Sequence, residues 1–393
     1  MNFLYQSFYI GKFKIEVPVF IWFLLATVAS IIELARGEEN FNNFLLYKHV
    51  FIHTTQQVNL YNGLPENLFD NHYGPFFSMV IAPFSFIGNY LGCFLWCIAN
   101  AWILYFAISK LPLNRHKQLT ILLITAVEMM TATHNIQFNT MLTGWIILSF
   151  IYIEKEKEIW SLLFIAAGFL VKILGVVGIG FFIFSKHKKN FILLGIMWLL
   201  VLGFLPAIIS SPAFVLQSYI DWYYDLIDKN QSNVNFIVNY MQDISVMGMI
   251  RRIFKADNLA NWMVLLPAAI AYVLPIFRFK EFKHLSFRLS YLAMALIGVV
   301  IFSSSAESPT YVIAVAGVAI WYVTQQGNNV KMANALLIFT LILTVFSPTD
   351  LFPAFLRKNY VIPYALKALP CLVVWLTILY QLITKRFEPI ASD

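Results

Sequence analysis

Apolar residues recur along this chain in runs close to the length a bilayer needs, broken by short polar or charged segments. The runs fall at roughly 17–32, 90–108, 118–133, 140–152, 160–185, 190–209, 260–277, 285–302, 310–324, 333–346 and 365–383. The run 160–185 is interrupted near Lys172, and counting it as two gives about twelve transmembrane helices in an all-α, polytopic membrane fold. The stretch 75–108 is divided by "IGNY" into a short piece and a full-length one. Either both pieces cross, or the short one dips or lies at the interface; the second arrangement keeps "NRHK" and "KHKK" together on the cytoplasmic side. No fixed-period repeat or low-complexity stretch interrupts the pattern.

Composition agrees with this pattern. The 393 residues are 60% hydrophobic and 12% charged, with a mean hydropathy of +0.72, whereas soluble domains average roughly 45–50% apolar and 25% charged. Residues 1–393 read as one integral membrane domain, with no stretch suited to a separate soluble one. The first apolar run follows Lys12 and Lys14, lacks a small-residue cleavage site, and reads as a retained span with a cytoplasmic N-terminus. The net charge of +7 lies in short clusters between spans, which is a topology signal and not a groove for nucleic acid. Cys93, Cys97 and Cys371 all lie inside apolar runs and read as small packing residues.

With the short piece not crossing, the uncharged and acidic loops fall on one outer side. These are 33–74, "HNIQFN", the Lys172 break, 210–259, "SSSAESP" and 347–364. The first outer loop, 33–74, carries Glu33, Glu38, Glu39, Glu66 and Asp70, and holds an amphipathic helix in "NNFLLYKHVFIHTT" expected to lie along the membrane surface. It ends in "DNHYGP", an ionisable group at the mouth of an apolar segment, where charge is expensive without a solvated loop, a partner or a chemical role.

The order of these features resembles glycosyltransferase family 87, membrane enzymes of the C-type glycosyltransferase superfamily that use polyprenol-phosphate sugars. The resemblance rests on "NLYNG" and "HYGPFFSMVIAPF", on "NIQFN" for a Gln-x-Asn, on "AAGFLVKILGVVGI" for a Gly-rich span with lysine, on "KNQSN" and on "SSSAESPTYV". It covers about residues 15–325. It implies a bacterial cytoplasmic membrane location and a polyprenyl-phosphate sugar donor; with the polar loops on the outer side, the expected reaction is transfer to a lipid or glycan acceptor at the outer face. Where the family has an aspartate early in the first outer loop, this chain has Asn43. An amide cannot act as the base, so no catalytic residue carries over directly.

Sugar transfer from a lipid phosphate needs a carboxylate to accept the hydroxyl proton, cationic or amide groups to hold the phosphate, and exclusion of water. Asp70, Glu39 and Glu307 are the candidate bases. Their plainer readings are a turn aspartate, a helix N-terminal acid and an ion-pair partner. Lys172, in mid-run and far from either edge, is a candidate phosphate ligand. Gln137 and Asn139 open a helix, where Asn139 either caps it or binds sugar. Tyr73, Asn230 and Gln231 are further candidate substrate contacts. Arg252, beside Arg251, is expected on an interfacial helix holding a lipid phosphate or headgroup. His49, His53 and His72 lack metal-ligand spacing, and no cofactor is required. The competing classes are a transporter or flippase of lipid-linked sugars, and an inactive membrane scaffold.

Overall fold

Ahead of the first span lies an antiparallel hairpin, β1 (Ser7–Ile10) and β2 (Phe13–Glu16), in register from Ser7 opposite Glu16 to Ile10 opposite Phe13. Gly11 turns it at a φ of 59°, the conformation a two-residue hairpin turn favours. This hairpin is the one departure from an all-α fold among the described residues. The computed structural model describes residues 5–61, 70–234, 241–327 and 329–387. Glu66 and the Asn62–Gly63 end of "NLYNG" lie outside them.

Helices follow in the order α1 (Val17–Ala35), α2 (Asn42–Gln56), α3 (Phe77–Ser85), α4 (Asn89–Ser109), α5 (Arg115–His134), α6 (Asn139–Glu154), α7 (Glu158–Val171), α8 (Lys188–Phe204) and α9 (Pro212–Val234). Beyond them come α10 (Val246–Phe254), α11 (Trp262–Val273), α12 (Leu285–Ile301), α13 (Tyr311–Val323), α14 (Asn329–Thr340), the three-residue α15 (Ala354–Leu356) and α16 (Ala368–Thr384). A 3-10 segment, Ile173–Phe184, follows α7, and π-helical segments occupy Leu341–Phe346 and Arg357–Val361. Each apolar run expected from the sequence is helical here. Among the described residues, five helices are long and apolar enough to cross a bilayer. Their outward side chains, such as Leu193 and Leu200 on α8 or Leu266 and Ile270 on α11, are exposed, as hydrocarbon-facing residues would be. The chain is an integral membrane protein. Helix α3 has nine residues and contains Pro83; at about 13 Å it is too short to cross about 30 Å of hydrocarbon by itself.

The chain forms two compact units, Phe20–Leu111 with Met129–Lys229, and Met1–Val19 with Pro112–Glu128 and Asn230–Asp393. In the first, α2 buries Phe44, Tyr47 and Val50 and is pinned to the start of α4 by Lys48 Nζ on Asn89 Oδ1 at 2.7 Å. An aromatic cluster of Tyr47, Tyr73, Phe77, Trp96 and Phe138 fills the space behind it, with ring centroids 4.6 Å apart for Tyr73 and Phe77. Offset and edge-on rings of this kind pack densely, and the Tyr47 and Tyr73 hydroxyls meet at 3.0 Å within the cluster.

In the second unit α13 is buried almost throughout, against α12 and α16. The indole of Trp375 donates to Met294 O at 3.1 Å, and that of Trp321 to Gln381 Oε1 at 2.9 Å. Among the described residues of this unit, two ion pairs are buried on both sides. Lys367 Nζ meets Glu128 Oε1 at 2.9 Å, 239 positions apart in sequence. Arg251 Nη1 meets Asp243 Oδ2 at 2.7 Å, each side chain 1% exposed. Burial pushes the Asp243 carboxyl up, against the opposing pull of the Ser245 hydrogen bond and the Arg251 charge. Arg251→Met strands a buried carboxylate and is expected to lower stability by about 3–5 kcal/mol. The thermal unfolding midpoint of the purified protein in detergent reads this directly, and an unchanged midpoint would show that the pair contributes nothing.

Candidate functional site

The Lys172 break is a hairpin. Helix α7 ends at Val171, Lys172 turns to an extended conformation (φ −147°, ψ 122°), and the 3-10 segment packs back on α7. Gly168 and Gly175 face each other so closely that a Cβ on Gly175 would lie 2.3 Å from the Gly168 carbonyl carbon. Further down the two arms, a Cβ on Gly178 would lie 2.7 Å from Ile165. The Gly-rich sequence therefore lets two arms touch and puts the lysine at the tip.

At that tip Lys172 Nζ donates to Asn139 Oδ1 at 2.9 Å. Asn139 is fully buried, and its Nδ2 has no hydrogen-bond partner. Its side chain does not cap α6, whose N-cap position is taken by Phe138; of the two sequence readings for Asn139, capping is the one the geometry removes. Lys172 Nζ also lies 6.0 Å from the centroid of the Tyr73 ring. The Tyr73 hydroxyl donates to Gln137 Oε1 at 3.2 Å and is 3.0 Å from the Tyr47 hydroxyl. Four of the sequence candidates, Tyr73, Gln137, Asn139 and Lys172, are thus brought together within one unit.

Two backbone features hold this cluster. Gly74 N–H donates to Val171 O at 3.0 Å, and a Cβ on Gly74 would lie 2.0 Å from Leu170 O, so the Tyr-Gly-Pro break lies directly on the end of α7. The second is the turn closing α5. Ile136 N–H bonds Thr133 O, Gln137 N–H bonds Ala132 O, and Ile136 takes a φ of 53°. This is a Schellman closure with a β-branched residue where glycine is usual. Strain of this kind persists only where the surroundings impose it; here Ile136 is buried and its carbonyl accepts from the Trp96 indole at 3.3 Å. Asn43 contacts the same turn, donating to Asn135 O at 2.8 Å.

The acids are placed differently. Asp70 is exposed, three residues before Tyr73, and Glu39 is exposed on the short 3-10 turn Glu38–Asn40. Glu307 belongs to the other unit and caps the turn Ser308–Thr310, its side chain accepting from the Thr310 backbone. Asn230 and Gln231, at the end of α9, are exposed; Asn230 Oδ1 accepts from Asn261 Nδ2 at 2.9 Å and from Ser304 Oγ at 2.7 Å. Arg252 is buried on α10 and grips the carbonyls of Ile362 at 3.2 Å and Gln242 at 2.6 Å, where the sequence suggested an interfacial surface.

Two histidine–carboxylate pairs escaped the sequence reading. His134 Nδ1 lies 2.7 Å from Glu33 Oε1, which also receives Arg36. His72 Nδ1 lies 3.0 Å from Asp225 Oδ2, and the indole of Trp222 donates to His72 O at 3.1 Å. Each histidine directly precedes a recognised motif, "NIQFN" or "YGP", but its acid lies on a distant helix. Tyr61, whose hydroxyl donates to Tyr73 O at 2.9 Å, is driven well above the usual phenol range by burial and then by the nearby Asp225 charge.

A polar cluster with a lysine at its tip, packed beside aromatic rings in an integral membrane protein, supplies the donors that bind an anionic or hydroxyl-rich group. Residues 71–304 match glycosyltransferase family 87. The chain belongs to that family. No curated protein matches it.

Gly74→Ala inserts a methyl group against the Leu170 carbonyl and is expected to destabilise the protein by about 1–3 kcal/mol, seen as a lower unfolding midpoint. A midpoint equal to wild type would mean that the Tyr73 segment is free to lift off α7.

Proposed function

We propose that this glycosyltransferase, a chain of about twelve spans, moves a sugar from a polyprenyl-phosphate donor to a lipid or glycan acceptor at the outer face of a bacterial cytoplasmic membrane. The observation that carries the reading is the Lys172 tip. A cation bound to a buried amide whose own N–H2 has no partner is an arrangement prepared for a ligand with acceptor oxygens. Lys172 would neutralise charge building on the departing phosphate, Asn139 Nδ2 would donate to it, and Gln137 and Tyr73 would fix the sugar. The short α3 supports a non-crossing first piece, which keeps the basic clusters on one side.

Asp70 is the proposed proton acceptor, because the chain runs from it straight into Asn71, His72 and Tyr73. Glu39 and Glu307 are the other two carboxylates to test. Glu307 also holds a turn, so its loss is expected to affect stability as well as rate.

The test is transfer by purified, reconstituted protein from a panel of polyprenyl-phosphate sugars. Lys172→Met is expected to lower kcat/KM by about 10²–10³-fold, and Asp70→Asn by at least about 10²-fold, with folding intact. Transfer retained in Asp70→Asn moves the base to Glu39 or Glu307. No transfer by wild type with any donor, together with movement of a lipid-linked sugar across the vesicle, would replace the enzyme reading with that of a flippase.

A further inference from the structure

A cavity of about 250 Å³ lies in the unit that contains the C-terminal helices. Its walls are mainly apolar, with Met241, Ile244, Val361 and Ile362 among them, and its charged lining residues are Arg357 and Lys367, with no acid. Most of its lining falls beyond residue 304, outside the family match.

The donor inventory shows what this cavity is equipped to hold. Lys367 is 4% exposed. Its ammonium gives its three hydrogens to Glu128 Oε1 (2.9 Å), Ser308 Oγ (2.9 Å) and Ser308 O (3.2 Å). Because Ser308 Oγ accepts from the lysine, its own proton is left to donate elsewhere. Arg357 Nη1 is anchored on the carbonyls of Pro348 at 3.2 Å and Thr349 at 3.0 Å. That fixes the guanidinium plane and leaves Nε and Nη2 as a fork suited to a phosphate or carboxylate. The counter-charges are unequal. Glu128 is buried behind Lys367, whereas Asp350, 3.5 Å from Arg357, is fully solvent-exposed and screens it weakly.

The backbone around the cavity is irregular in a way that helices rarely are without a reason. Ser347 and Pro348 directly follow one π-helical segment, and Arg357 and Val361 bound the other; π-helical turns concentrate at functional sites. Ala365, also in the lining, takes a φ of 52°. Arg252 holds this irregular wall in place through Ile362 O.

We propose that this cavity binds the phosphate-bearing head of a membrane amphiphile, with Arg357 and the Ser308 hydroxyl on the phosphate and the first methylenes of the chain against Ile244, Val361 and Ile362. The site is independent of the Lys172 cluster, and its test needs no sugar transfer, so its failure and that of the transferase reading are separable.

The experiment is thermal unfolding of the full chain in an uncharged detergent, titrated with decyl phosphate, decanol or inorganic phosphate. Decyl phosphate alone is expected to raise the unfolding midpoint by several degrees in a saturable manner. Arg357→Met, and separately Ile362→Trp to fill the cavity, are expected to weaken that response at least tenfold while each variant unfolds cooperatively on its own. An equal response to inorganic phosphate would overturn the amphiphile, an equal response to decanol would overturn the anion, and no response, or one unchanged in both variants, would overturn the site.

Discussion

An ammonium group in the middle of an apolar run must find both an acceptor and a way out of the helix, and the hairpin at Lys172 supplies the two together. The break frees the tip from helical geometry, the facing Gly168 and Gly175 let the arms close behind it, and Asn139 takes the charge-assisted hydrogen bond. Everything proposed to bind substrate is positioned from this tip. Gly74 rests on the end of α7, Tyr73 lies beside the lysine, and the strained Ile136 turn delivers Gln137 and Asn139 from the other direction.

The same constraint recurs in the other unit with different solutions. Glu128 and Lys367 neutralise each other in a site where neither reaches solvent, and Arg251 is enclosed by Asp243 and the Leu259 carbonyl. Removing one member of such a pair is far more disruptive than replacing both. Around the Ser308 cavity Glu128 and Ser308 occupy the lysine, while Arg357 is held through Nη1 on two backbone carbonyls.

Much of the fold was legible in the sequence, because the signal that specifies a membrane helix is a local sum of hydropathy. The starts and ends of the expected runs agree with α4, α5, α8, α12 and α16 to within a few residues, and "NNFLLYKHVFIHTT" is α2. The Lys172 break was visible as a single charge in a long apolar run. The β1–β2 hairpin was missed, since four-residue strands before a span carry too little periodicity to stand out. The π-helical segments were also invisible, because they arise from packing and have no composition of their own.

For the candidate site the division is sharper. The sequence alone determined membrane residence, the helical layers, the family, and the residue types available for binding: a lone lysine, a Gln-x-Asn and a Tyr-Gly-Pro break. Only the tertiary structure decided that Tyr73, Gln137, Asn139 and Lys172 meet, that Glu307 caps a turn, that Arg252 is buried, and that His72 and His134 each have a carboxylate partner. The physical reason is range. Hydropathy and turn chemistry act over a few neighbouring residues, whereas a hydrogen bond between positions 72 and 225, or an ion pair between 128 and 367, depends on how distant helices pack.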